Sequence, residues 1–234
     1  MSVLYLYGIT RAGEVPRRLA NHGVFLVEAE GRAAIVAKTE AGPLRATRKN
    51  LLAHADTVEE MHERQLVLPT RFGTLLDDED AARDLLALPE IEQLLEAHAD
   101  HSELTLKGTY EDSVLAEVSA PLEPLREAYR RSPTMENGVV LGEAVTEALH
   151  DRRARDVDAV LARLRPLVVD VAVAEPVGEL GALDLALLVR RDAVGSVSAA
   201  LDGVTAALSP PLHLRLVGPL PPYSFVTVDL PARV

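Results

Sequence analysis

Between residues 103 and 218 the hydrophobic pattern switches between a two-residue and a helical period in a set order, and this order is the strongest constraint on the fold. ELTLKGTYED (103–112) alternates Leu104, Leu106, Gly108 and Tyr110 against polar neighbours, as a strand with one buried face does. A short helix is expected around 122–131, and MENGV (135–139) reads as a turn. From about 139 to 166, Leu141, Val145, Ala148, Leu149, Val157, Val160, Leu161 and Leu164 form an apolar stripe at helical spacing. Arg152, Arg153, Arg155, Arg163 and Arg165 crowd its later turns, where cations suit a helix C-terminus, and Pro166 ends it. Strands follow at 167–175 and 182–190, then a helix over 192–207 and a strand over 212–218. The string is β-α-β-β-α-β, the ferredoxin-like order. SFVTVDL (224–230) reads as one further, terminal strand.

The first hundred residues repeat that order without repeating the residues. VLYLYGI (3–9) is a β-prone run ended by a glycine, and a short helix fits 13–20. GVFLVEA (23–29) and RAAIVAK (32–38) flank Glu30-Gly31, a hairpin signal. A helical pattern runs from Pro43 to about Gln65, and LVLP (66–69) is a strand stopped by its proline. The acidic stretch 77–100 reads as one or two helices, capped by Asp77 or Asp78 and restarted at Pro89. The expected fold class is therefore α+β with two domains. Residues 1–100 form an N-terminal α+β domain with a related element order, and residues 101–234 form a ferredoxin-like domain with a terminal strand.

Composition narrows the function. Aromatic residues are 3% of the chain, so the core must be built from Leu, Val and Ala. Cysteine is absent, which removes disulfides, thiolate metal sites and Cys nucleophiles together and fits a reducing cytoplasm. The first residues, MSVLYLYGIT, lack a basic region and break at Gly8, so no signal peptide is expected. No apolar run is long enough for a membrane span. The net charge of −12 argues against a general nucleic-acid binder. Between Leu75 and Glu103, ten acids stand against Arg83 alone, a local balance of −9. That segment reads either as a solvated helical face or as a patch that meets a basic partner.

Motifs for chemistry are missing. There is no glycine-rich phosphate cradle, no G-x-S-x-G elbow and no H-E-x-x-H. His98 and His101, with Glu96 and Glu103 near, are the closest approach to a metal motif, and they compete with the reading of a solvated helix end. His54 and His62 sit eight apart on one expected helix, where a structural role for His54 is set against a ligand or acid–base pair. No catalytic residue, cofactor site or metal site is assigned.

Two stretches stand out. In LVLPTRFGT (66–74), Pro69 stiffens the turn, Gly73 supplies an unusual conformation and Phe72 fills a gap, or Arg71 and Phe72 form an exposed anchor. In VGPLPPYSFV (217–226), three prolines precede Tyr223 and Phe225, which suits a pre-ordered connector or a docking segment. Together with the N-terminal YLYGI, these stretches resemble the gas vesicle protein F/L family (GvpF/GvpL) over essentially the whole chain. Leu220 stands where the second motif is usually aromatic, which removes one candidate anchor.

The resemblance implies a non-catalytic accessory protein of gas vesicle assembly that is cytoplasmic, vesicle-associated and monomeric in isolation. It implies binding to the main shell protein GvpA and to other accessory proteins, while the charge and the lack of a long apolar run argue against nucleic-acid and membrane partners. An early role as chaperone or nucleator and a permanent place as a minor wall component both fit. The candidate partner-binding residues carried by the motifs are Leu68, Pro69, Arg71, Phe72, Gly73 and Thr74, with Gly218, Pro219, Pro221, Pro222, Tyr223 and Phe225. A small-molecule-binding or regulatory ferredoxin-like module is the alternative, and a hydrolase with a dispersed site is a third reading.

Overall fold

Strand β1 (Ser2–Arg11) is the axis of the first sheet. It is followed by α1 (Arg17–Asn21), β2 (Val24–Ala29), β3 (Arg32–Glu40), α2 (Arg48–His62) and β4 (Val67–Pro69). The sheet order is β2-β3-β1-β4, and each of these pairs is antiparallel. This is the ferredoxin-like arrangement expected from the element order. The computed structural model describes residues 2–42, 44–205 and 212–226. The β2–β3 hairpin turns on Glu30 (φ 52°) and Gly31 (φ 76°), two left-handed residues whose twist matches that of the strands they join.

Two helices beyond the basic order explain why β3 reads RAAIVAK without alternation. A short strand β5 (Leu75–Leu76) leads to α3 (Glu79–Leu86) and α4 (Pro89–Ala97). Ala82, Leu85, Leu86, Ile91 and Leu95 cluster with Leu4, Leu6, Ala34, Val36 and Leu68. Leu19, Val58 and Met61 of α1 and α2 instead cluster with Val24, Ile35 and Val67. Adjacent residues of β3 thus serve different clusters, so both faces of the sheet are covered and the strand is apolar throughout. The Asp78 side chain accepts from the Ala81 N–H and caps α3, and Pro89 opens α4. Most of the acidic stretch is exposed, but Glu92 pairs with Arg11 (2.6 Å) and Arg32 (3.6 Å), tying α4 to β1 and β3.

The second set of elements is β6 (His101–Tyr110), α5 (Ser113–Ser119), α6 (Glu123–Arg131), α7 (Met135–Leu164), β7 (Asp170–Ala174), β8 (Gly181–Arg190), α8 (Val194–Thr205) and β9 (Leu212–Leu220). Its sheet order is β7-β8-β6-β9, again ferredoxin-like. Leu104, Leu106 and Tyr110 of β6 are buried as the alternation predicts, against Val160, Leu161 and Leu164 of α7 and Val197 and Leu201 of α8. Inside this core Asp156 accepts from Arg152 Nε (2.8 Å) and from the Tyr110 hydroxyl (2.7 Å), a buried ion pair with an aromatic donor.

Two expectations are corrected and one helix is added. MENGV is the first turn of α7, because the Thr134 side chain caps the helix by accepting from the Asn137 N–H. Gly138 is tolerated there: a Cβ would meet the Tyr129 ring of α6 at 3.3 Å, so the missing side chain makes room for that ring. Helix α5, unmarked in the sequence reading, buries only Val114 and Val118, too few positions to show a period. The reading of 224–230 as a strand does not hold for its described part, since residues 224 and 225 form a turn; residues 227–230 lie outside the described residues.

The chain divides into two compact units, residues 1–103 with the segment from Gly218, and residues 104–217. The expected second domain of 101–234 therefore gives up its GPLPPYSF segment to the first unit. The physical reason is local. Buried Glu103 accepts from the Ser224 N–H (2.7 Å) and hydroxyl (3.0 Å), and Val226 is buried among the α3–α4 residues.

Candidate functional site

The TRFGT element exists because two strands share one edge of β1 and the spacing between them does not match. Gly8 faces Pro69 and Tyr5 faces Leu75, so three steps along β1 oppose six steps along the segment from β4 to Leu75. The excess residues loop out as Thr70-Arg71-Phe72-Gly73-Thr74. The register of β1 against β3 also shifts between Leu6 and Gly8. Gly8 has no room for a side chain, since a Cβ would lie 2.7 Å from the Leu68 carbonyl oxygen.

The loop is stitched to the strand it crosses. The Thr70 hydroxyl donates to the Leu6 carbonyl (2.9 Å) and its N–H to the Tyr7 carbonyl (3.2 Å), while the Leu6 N–H donates to the Thr74 carbonyl (3.0 Å). The Thr74 hydroxyl closes the turn on the Arg71 carbonyl (2.6 Å). Gly73 sits at φ 88°, in the region where glycine is favoured.

An aromatic–imidazole cluster underlies the loop. Tyr5 bridges the Gly73 N–H (3.3 Å) and His54 Nδ1 (2.7 Å) through its hydroxyl. The His54 ring also hydrogen-bonds the Thr70 backbone. Phe72 packs edge-on against both Tyr5 and His54, and Tyr7 stacks on His54. Burial lowers the His54 pKa and pushes the Tyr5 phenol up to about 12, so both stay neutral in their hydrogen bonds. His54 is thus structural, and so is His62, which accepts from the Val67 N–H (3.3 Å) and bonds the Ser102 hydroxyl (3.1 Å). The rings of His98 and His101 stand 6.3 Å apart, and among the described residues no group of three or more His, Asp or Glu is placed to hold a metal.

The two sequence motifs meet. A cavity of about 370 Å³ is lined by Pro69, Thr70, Arg71 and Phe72 from the first, by Tyr223 and Val226 from the segment after the second set of prolines, and by His54. The motif residues split into two kinds. Leu68, Pro69, Pro221 and Pro222 are buried, Phe72 and Phe225 are half-buried, and Thr74 and Gly73 shape the turn. Gly218 and Pro219, joined by a cis peptide, are exposed within β9 and do not line the cavity. Arg71 is exposed, and Tyr223 keeps 37% of its surface accessible. Among the described residues neither the Arg71 guanidinium nor the Tyr223 hydroxyl has a hydrogen-bond or ion-pair partner. Burial, reinforced by the Glu59 and Glu103 carboxylates, raises the Tyr223 pKa and keeps the phenol protonated.

Glu103, Tyr5 and Tyr7 were not among the residues singled out from the sequence for this site. The YLYGI element held the only signal for the tyrosines, and Glu103 looked like one acid among ten.

The fold and site define a class: an α+β protein of two ferredoxin-like units, the first enlarged by two helices and carrying a preformed cavity beneath an aromatic-anchored loop. The family described as gas vesicle synthesis protein GvpL/GvpF matches residues 3–227. Gas vesicle protein F of Streptomyces sp. (strain CB03234) is 33% identical over 238 residues, spanning 95% of this chain and 98% of that protein. The crystal structure of GvpF from Anabaena sp. PCC7120 matches with a TM-score of 0.81 at 21% identity, over 98% of this chain and 100% of that one. GvpF from Microcystis aeruginosa matches with a TM-score of 0.79 at 18% identity, over 97% and 99% of the two chains. The chain belongs to the GvpL/GvpF family, and its role lies in gas vesicle formation. Among the described residues no helix is long and apolar enough to cross a membrane.

Proposed function

We propose that this protein is a non-catalytic accessory factor that binds the main shell protein GvpA during assembly, acts in the cytoplasm as a monomer, and is carried with the vesicle as a minor component. The observation that carries this reading is the convergence of both family motifs on one cavity, where Arg71 and Tyr223 have no polar partner among the described residues. Arginine and tyrosine are the residues that dominate protein interfaces when held against an apolar pocket. A physical need for such a partner exists. A gas-filled shell must present an apolar inner surface, and its subunits are prone to associate before assembly. A carrier with a net charge of −12 stays soluble while holding one.

Retention of purified GvpA on the immobilised protein tests direct binding, and the reading fails if GvpA is not retained where another accessory protein retains it. Deletion of the gene alone, with microscopy and fractionation, tests the assembly role, and normal vesicles would refute it. Isolated vesicles free of the protein would remove its standing as a minor component.

The second reading is a small-molecule or regulatory module, favoured by a cavity at the lower end of the range of ligand pockets, about 300–1,000 Å³.

A further inference from the structure

The cavity between the two motifs is asymmetric in charge. Arg71 lines it on the loop side, exposed and, among the described residues, without a partner for its guanidinium. The lack of a partner is not for want of acids, since the chain holds 36 Asp and Glu against 24 Lys and Arg. The loop's hydrogen bonds to Leu6 and Tyr7 hold its backbone in place across β1. Across the cavity stands Tyr223, whose hydroxyl is a donor with no acceptor among the described residues. Between these poles the lining is Pro69, Phe72 and Val226 with Thr70 and His54, whose polar groups are already engaged within the loop cluster.

We propose that this cavity binds a short aliphatic peptide segment carrying a carboxylate, with Arg71 taking the carboxylate, Phe72, Pro69 and Val226 taking the aliphatic side chain, and Tyr223 donating to a backbone carbonyl of the segment. The proposal rests on the reading of the protein as a binder of a shell subunit, and it names the chemistry that the subunit must present. Charge complementarity selects the occupant. A guanidinium offers paired donors that match a carboxylate in geometry as well as charge. Among the described residues Arg71 is the one cation lining the cavity, so the carboxylate is drawn to the loop side. A cavity of about 370 Å³ takes one or two side chains rather than a whole helix. The wall that receives them is preformed, since Phe72 is wedged against Tyr5 and His54 and its loop is tied to β1 through Thr70 and Thr74, and a preformed wall loses little entropy on binding.

The test uses fluorescein-labelled overlapping peptides that tile the shell subunit, each acidic peptide paired with its Gln or Asn counterpart, read by fluorescence anisotropy against the full chain. At least one acidic peptide is expected to bind about tenfold or more tightly than its amide counterpart. Arg71→Gln is expected to erase that difference, Arg71→Lys to restore part of it, and Tyr223→Phe to weaken acid and amide alike. Arg71 is exposed and makes no side-chain hydrogen bond or ion pair among the described residues, so the variants should keep the wild-type circular dichroism. The proposal is overturned if acidic and amide peptides bind equally, if Arg71→Gln leaves the preference intact, or if no peptide binds up to about 1 mM. Retention of full-length shell protein, measured in parallel, separates the two levels. Retention by wild type and by Arg71→Gln alike sinks the site and leaves the assembly reading standing. No retention by wild type sinks the assembly reading, whatever the peptides do.

Discussion

Replacing Tyr5 with phenylalanine removes one oxygen atom and leaves the ring. The aromatic contacts to Tyr7, His54 and Phe72 persist, so no cavity forms and the cost comes from hydrogen bonds alone. Two are lost: the bond to His54 Nδ1 at 2.7 Å and the bond from the Gly73 N–H at 3.3 Å. His54 is 8% exposed, so its ring nitrogen is left unsatisfied in a low-dielectric setting, at a cost of about 1–3 kcal/mol. Gly73 is exposed and water can replace its partner, which puts that bond near the low end, about 0.5 kcal/mol. The sum is about 1.5–3.5 kcal/mol. At an m-value near 2 kcal/mol/M, it lowers the urea midpoint of the first unit by roughly 0.75–1.75 M. A chain of two units need not unfold in one step, so the transition should be followed by hydrogen exchange resolved to single amides. In Tyr5→Phe the Gly73 amide should lose its protection under native conditions, before any change in the second unit. An unchanged midpoint with Gly73 still protected would show that the tyrosine does not hold the loop.

Gly73→Ala should cost about 1–2 kcal/mol, because the site is sterically open but its φ of 88° is left-handed, and Gly73→Asn should cost less; thermal melts of the two variants decide it. Arg152→Met takes the guanidinium from the buried Asp156 carboxylate, leaving it the Tyr110 hydroxyl, and should cost about 3–5 kcal/mol, while Arg152→Met combined with Asp156→Leu should recover part of the loss, as a double-mutant cycle by denaturation would reveal. His54 has its pKa lowered by burial, so the unfolded chain takes up the proton first as pH falls. Its contribution is complete above the ordinary value of 6.5 and is lost as pH drops from there towards the lowered folded value; stability measured against pH in wild type and His54→Asn should show this slope in wild type and a flatter one in the variant. Glu59 titrates with the opposite sign, because burial raises its pKa and its contribution is lost as pH rises above 4.5.

Element order was legible in the chain wherever a run was long enough to show a period. The alternation in β6, the stripe along the later turns of α7 and the Glu30-Gly31 hairpin all appear where the pattern placed them. The misread turn at 135–139 shows the limit of such reading. Asn137-Gly138 is a turn signal locally, but the Thr134 cap and the Tyr129 ring make it helix. The same limit holds for the acids of 75–103. Composition marks them as a charged face, yet Glu92 pairs with Arg11 and Glu103 holds Ser224 from 121 residues away.

The sequence by itself determined the two βαββαβ strings and, through LPTRFGT and GPLPPYSF, the family. Both follow from short-range order, since period, turn chemistry and a contiguous motif need no partner to be read. Only the tertiary structure decided which motif residues build the fold and which remain available. Thr70 is used by a carbonyl 64 residues away and Ser224 by a carboxylate 121 residues away, while Arg71 and Tyr223 are left facing a cavity that neither motif contains alone. The reason is that a loop's hydrogen bonds are made with strands distant in the chain, and no local pattern encodes their positions.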